Sequence, residues 1–146
     1  MTNRPAAALA WVSVLLTLPL LAGAWLYAFG APQLAGVGLL TLLSLSATLL
    51  AFLGGVRMGV EIGRSSASPS AIVVALVTPA AAWLLLALPF FEPTWQFAGL
   101  LALHLVMGLW DATSDLPKWW KTPRMAVAVV TVVALAMGMW KGLAGG

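Results

Sequence analysis

The chain has 146 residues, 62% of them hydrophobic and only 8% charged, with a net charge of +3 and no cysteine. A water-facing surface needs far more polar side chains than this, so a soluble domain is excluded. The missing thiols exclude disulfides, thiol catalysis and thiolate metal sites together.

A transmembrane helix takes ~20 mostly apolar residues, so the chain has room for five spans with short connections, read as one domain over residues 1–146. The apolar runs are apolar on every side, whereas strands of a membrane barrel alternate apolar and polar residues. The predicted fold is an all-α membrane protein with five transmembrane helices.

The first span runs from about Ala7 to Phe29. Arg4 ahead of it and Ala22-Gly23-Ala24 within it mimic a secretory signal with a small-residue cleavage site. The apolar run continues through Trp25 to Phe29, however, and reads as a span that Gly30-Ala31-Pro32 ends.

The second span, about Leu34 to Gly63, carries Ala47, Ala51, Gly55, Gly59 and Gly63 at every fourth position. Small residues at that spacing let a neighbouring helix approach closely, so they form a predicted packing ridge. Arg57 and Glu61 are also four apart and can pair along the helix. Two positions off the glycines, they project from roughly the opposite side, so one face is expected to pack and the other to carry charge.

A serine-rich stretch from Arg64 to Ser70 precedes the third span, about Ala71 to Phe90, which Phe91-Glu92-Pro93 closes. Pro19 and Pro79 fall inside the first and third spans, where kinks are expected. In the fourth span, about Thr94 to Thr113, the residues His104, Gly108 and Asp111, followed by Asp115, share one stripe. At ~1.5 Å of rise per residue, Arg57 lies at about 10 Å depth and Asp111 at about 6 Å, levels at which they can meet. Arg57, Glu61, His104, Asp111 and Asp115 therefore form a predicted intramembrane charged cluster. It reads either as a register-fixing network or as a proton or ligand site. A lone histidine without a second histidine or a thiolate predicts no metal site and no cofactor.

The fifth span runs from about Pro123 to Trp140. Lys118, Trp119, Trp120, Lys121 and Arg124 at its start read as an interfacial band that attracts anionic lipid headgroups. With the amino terminus inside, Arg4, Arg57, Arg64, Lys118, Lys121 and Arg124 lie on or near the cytoplasmic side and only Lys141 on the other. The positive-inside pattern thus predicts a cytoplasmic amino end and a periplasmic carboxyl end, in a bacterial inner membrane.

No glycine-rich phosphate loop, nucleophile elbow, paired-carboxylate motif or broad basic face is present, so neither an enzyme nor a nucleic-acid binder is expected. Partners are expected to be the bilayer and either another membrane protein or a second copy of the chain. The leading expectation is an accessory or assembly component of a larger membrane complex. The alternative is an oligomeric transport or proton-binding module built on Arg57, Glu61, His104 and Asp111.

Two stretches, Phe52-Leu53-Gly54-Gly55 with Arg57 and Gly59, and Pro117 with Trp119, Trp120 and Arg124, resemble the small multi-pass membrane family of unknown function that includes mitochondrial transmembrane protein 69. Met58 departs from that family's usual aromatic, and Pro123 replaces the residue before Arg124. The resemblance implies the five-span layout and two marked motifs, and no reaction. The tryptophan-rich sensory family is similar in size and helix count, but its proline–tryptophan signature is missing from the first spans.

Overall fold

The computed structural model describes residues 8, 11–12, 14–15, 17–88, 91–114 and 118–145, without the side chains of Lys118 and Trp119. Five helices order this part of the chain: α1 (Leu18–Phe29), α2 (Pro32–Ile62), α3 (Pro69–Ala87), α4 (Pro93–Thr113) and α5 (Lys118–Ala144). Three stretches, Pro32–Ile62, Pro69–Ala87 and Trp120–Ala144, are long and apolar enough to cross a membrane. Ala7, Leu9, Ala10, Ser13 and Leu16 of the predicted first span lie outside the described residues, as do the last two residues of the predicted third span.

Proline sets the helix starts. Each of α1 to α4 carries one at its first or second position, where the missing N–H would have had no intrahelical acceptor and the fixed φ suits the first turn. Pro19 therefore stands at the beginning of a helix, with Thr17 as the turn residue before it. Pro79 is the proline inside α3.

Paired contacts give the directions of the helices. Ser46 meets His104 and Arg57 meets Ser114, so α2 and α4 run parallel. Gly138 lies against Phe97 and Gly142 against Thr94, while Asp111 binds Arg124; α4 and α5 are antiparallel. At the turn between α1 and α2, Gly23 and Gly38 face each other, and a Cβ on Gly38 would run into the α1 backbone. The backbones there are in direct contact. Leu20, Leu42, Leu50, Phe97, Leu100 and Leu135 fill the interior with no exposed surface. The outer surface is apolar as well, with Leu40, Trp83, Trp95 and Leu109 among its most exposed side chains. Apolar surface inside and outside together is the pattern of a helical protein whose surroundings are lipid.

The predicted packing ridge is on the wrong side. Ala51, Gly55, Gly59 and Gly63 are exposed and Ala47 is half-buried, and Cβ atoms placed on Gly55 and Gly59 would meet nothing within 4 Å. The inner face of α2 instead carries Gly38, Leu42, Ser46, Leu50, Gly54, Arg57 and Glu61. The physical reason is relative cost: turning Arg57 and Glu61 toward lipid costs several kcal/mol, about +2.5 to +3.5 per charge at the bilayer centre, whereas a glycine facing outward costs no desolvation. One face of α2 therefore both packs and carries charge.

The close approach on that face is at Gly54. A Cβ there would sit 2.5 Å from the Ala75 carbonyl oxygen and 3.3 Å from the Pro79 ring. Ala75 is four residues before Pro79, so its carbonyl lacks the usual helical N–H partner. The proline exposes a carbonyl, and the glycine lets α2 approach it. Replacing Gly54 by Ala is expected to lower the stability of the detergent-solubilised protein by about 1–3 kcal/mol, while Gly55→Ala and Gly59→Ala stay within about 0.5 kcal/mol of the parent. Thermal unfolding followed by circular dichroism measures all three; equal losses would show that the outer glycines also touch a helix.

Candidate functional site

At one end of the bundle the carboxyl-terminal parts of α2 and α4 meet the amino-terminal part of α5, and there the charged side chains gather. Asp111 is their centre. Its Oδ1 lies 3.6 Å from Arg57 Nη1, and its Oδ2 accepts a hydrogen bond from Arg124 Nη2. Arg57 Nη1 also donates to Ser114 Oγ at 2.9 Å, and Arg57 Nη2 lies 3.6 Å from Glu61 Oε1. The same Glu61 oxygen is 3.2 Å from Arg64 Nη1. The ring of Trp110 lies under the Arg57 guanidinium, 4.5 Å from its carbon, a cation–π contact that gains strength where water is excluded.

Arg57, Glu61, Asp111 and Arg124 are all buried, two cations and two anions that cancel. Arg64 is the added cation, 39% exposed at the rim. Removing two charges from water costs several kcal/mol per ion, and their attraction offsets that cost only when the geometry is good and the remaining lone pairs and protons are hydrogen-bonded. Here the satisfaction is incomplete: Arg57 Nε, Glu61 Oε2 and Arg124 Nη1 are buried without a hydrogen-bond partner.

Two expectations about this end change. Arg124, predicted to belong to the interfacial band, is buried and bound to Asp111. Its side chain is long enough to follow the carboxylate inward, and pairing outweighs snorkelling. Lys121 also turns toward protein and donates to the Ser114 carbonyl at 3.2 Å, at the carboxyl end of α4, where a cation meets the negative end of the helix dipole. Trp120 is half-buried. The side chains of Lys118 and Trp119, and all of Asp115, lie outside the described residues.

His104 stands apart from the charges. Its Nε2 is 3.1 Å from Ser46 Oγ and 3.2 Å from the Ser46 carbonyl oxygen. A carbonyl only accepts, so this contact requires Nε2 to carry the proton and donate. His104 joins α4 to α2 as a buried polar clasp, and among the described residues its polar partner is Ser46. Around and beyond that level the interior is closed by Leu42, Leu50, Phe97, Leu100 and Leu135. Among the described residues no group of three or more His, Cys, Asp or Glu is placed to hold a metal ion.

Beside the cluster a cavity of about 440 Å³ opens between α2, α3 and α4. Arg57, Glu61 and Arg64 line one wall, with Ser68, Ser70, Ala71, Val74, Val106 and Trp110 completing the lining. It exists because α3 and α4 touch sparingly, even though they are consecutive helices. Near their short connection Gln96 donates to the Leu85 carbonyl at 2.9 Å and Gly99 lies against Leu85.

Residue spacing pointed to Arg57, Glu61 and Asp111, and the structure brings these three together. It adds Trp110 and Ser114 as partners of Arg57 and reassigns Arg124. The signal for Arg124 was available in the proximity of an aspartate and an arginine to the same short helix connection. No family model, curated protein or solved structure matches the chain.

Asp111 binds two arginines, so its loss leaves Arg124 without a carboxylate and Arg57 with Glu61 alone. Asp111→Asn is expected to destabilise the protein by about 3–5 kcal/mol, more than Arg57→Met or Arg124→Met. The combined Asp111→Asn, Arg124→Met variant is expected to lose at least about 0.5 kcal/mol less than the sum of its parts. Unfolding in mixed detergent micelles gives the four stabilities; strict additivity would mean that the Asp111–Arg124 contact contributes nothing.

Proposed function

We propose that the chain is an integral protein of a bacterial inner membrane, with five spans, its amino end cytoplasmic and its carboxyl end periplasmic, that acts as an accessory or assembly component of a larger membrane complex. The observation that carries this reading is the distribution of polarity. The buried charges bind one another at one end of the bundle, whereas the rest of the described interior holds no charged residue and is packed mainly with aliphatic side chains and Phe97 around uncharged polar groups such as Ser46, His104 and Thr131. A component whose buried charges are spent on one another acts through its surfaces, and here those are long apolar helix faces.

The face of α2 bearing Ala51, Gly55, Gly59 and Gly63 supports the same reading, because it is exposed and nearly free of side-chain bulk. A helix of another protein could approach it closely, with van der Waals contact as the driving force. Resemblance to the family that includes mitochondrial transmembrane protein 69 fits this proposal, and Arg57 and Arg124 from the two resembling stretches converge on Asp111. The alternative, an oligomeric transport or proton-binding module, would draw on the same cluster. It is weakened by His104, which is held by Ser46 rather than by the charges, and by the apolar packing beyond it.

Orientation rests on fewer charges than the sequence suggests, since Arg57 and Arg124 are consumed inside the bundle. Among the described side chains Arg64 and Lys121 remain at the charged end, with Lys141 at the opposite end of α5. Reporter fusions after Ser68 and after Thr122 are expected to read cytoplasmic, and a fusion to the carboxyl end periplasmic. A cytoplasmic carboxyl end would overturn the five-span reading. Purification in mild detergent is expected to retain a heterologous membrane protein in fixed ratio, and Gly55→Leu with Gly59→Leu to release it. Recovery of a homo-oligomer alone would favour the transport module instead.

A further inference from the structure

The cavity beside the charged cluster is not used by the proposed accessory role, and its chemistry is that of a ligand site. We infer that it binds the phosphate-bearing headgroup of an anionic membrane lipid, with the acyl chains leaving between α3 and α4.

The argument begins with charge. Arg57, Glu61 and Arg64 share one wall, and Glu61 Oε1 lies within ion-pair distance of both arginines. One positive charge is therefore in excess on that wall. Arg57 is 95% buried at the side chain, and its Nε has no hydrogen-bond partner. Arg64, 39% exposed at the rim, carries the excess charge where an anionic oxygen in the cavity can reach it. Glu61 Oε2, equally buried and unpartnered, is an acceptor on the same wall.

The amino terminus of α3 adds to the field. No side chain caps it, and Ser70 and Ala71 of its first turn line the cavity. Uncapped N–H groups and the positive end of the helix dipole favour a phosphate there. Ser68 Oγ and Ser70 Oγ, 2.9 Å apart, supply hydroxyls to the lining.

Shape selects an amphiphile over a soluble anion. The lining sets arginines and serines beside Val74, Val106 and Trp110, and Val74 and Val106 are exposed at the outer surface, 37% and 53%. These valines are the lips of the gap where α3 and α4 diverge. A head lodged against Arg57 and Arg64 would send its chains through that gap to the bilayer. A volume of about 440 Å³ falls within the ~300–1,000 Å³ of ordinary ligand cavities.

Native mass spectrometry of the full chain, in detergent micelles doped with either phosphatidylglycerol or phosphatidylcholine, tests the inference. One phosphatidylglycerol per protein is expected to survive gas-phase activation. Phosphatidylcholine, which has no net charge and no donor, is expected to be lost. Arg57 is unsuitable for the first variant because removing it disturbs Asp111. Arg64→Gln, at the rim, is expected to reduce phosphatidylglycerol retention about fivefold, the effect of one basic residue at an anionic surface. Val106→Trp, which fills the gap from an exposed position, is expected to abolish retention while leaving the circular dichroism spectrum unchanged. Equal retention of the two lipids, or retention unaltered in both variants, would overturn the assignment. Displacement of the lipid by glycerol phosphate at comparable concentration would also overturn it, by assigning the pocket to a soluble phosphate.

Discussion

A carboxylate inside an apolar bundle must be neutralised, and in this protein Asp111 is neutralised twice. Arg57 reaches it from α2 and Arg124 from α5, so three helices are tied at one point by the need to keep charge out of a low-dielectric surrounding. Much of the architecture follows. The parallel pairing of α2 with α4 and the antiparallel pairing of α4 with α5 bring these groups to one level. The inner face of α2 is the one that carries Arg57 and Glu61, and its packing partners are chosen by what else lies on that stripe: Ser46 for His104, Gly54 for the carbonyl that Pro79 leaves open. Such a network is weak evidence of net stability, because the desolvation of four charges offsets much of their attraction. Its role is to specify one register among several that aliphatic packing alone would allow.

The third helix is outside this knot. It is fastened to α2 through Gly54 and to the start of α4 through Leu85, Gln96 and Gly99, and no charged residue of its own enters the cluster. The separation of α3 from α4 at the charged end is the consequence, and it leaves polar walls beside a gap with apolar lips. The network that holds α2, α4 and α5 together thereby also creates the place where the bundle is open. A region with few buried contacts between its walls is the natural place for local opening.

Polarity is distributed along the bundle as well as around it. At the charged end every buried ion has an opposite charge beside it; one or two turns further in, His104 and Ser46 satisfy each other; beyond them the interior is aliphatic and aromatic. At the other end Trp25, Phe29 and Trp140 stack in sequence, with centroid separations of 4.8 Å and 6.1 Å. This gradient supports the reading of a protein that offers surfaces and a headgroup-sized pocket at one end and no route from end to end.

The helical class, the approximate helix boundaries and three members of the cluster were legible in the amino-acid sequence, because apolar runs, prolines and rare charges are local signals. Arg57, Glu61 and Asp111 were identifiable since a charge in an apolar span needs a partner, and few were available. The orientation of each helix about its axis was not legible. A four-residue spacing describes Gly55 and Gly59 as well as it describes Gly38, Ser46 and Gly54, and only the tertiary contact with Ala75 and Pro79 distinguishes the packed set from the outward set. Arg124 read as an interfacial base for the same reason, since sequence position gives depth along a span but not the inward or outward turn of a long side chain. The sequence by itself determined which segments are helices and that its charges had to pair. The tertiary structure decided which face of α2 turns inward, that Asp111 takes both arginines, and that α3 stands away from α4, because each depends on contacts between residues distant in the chain.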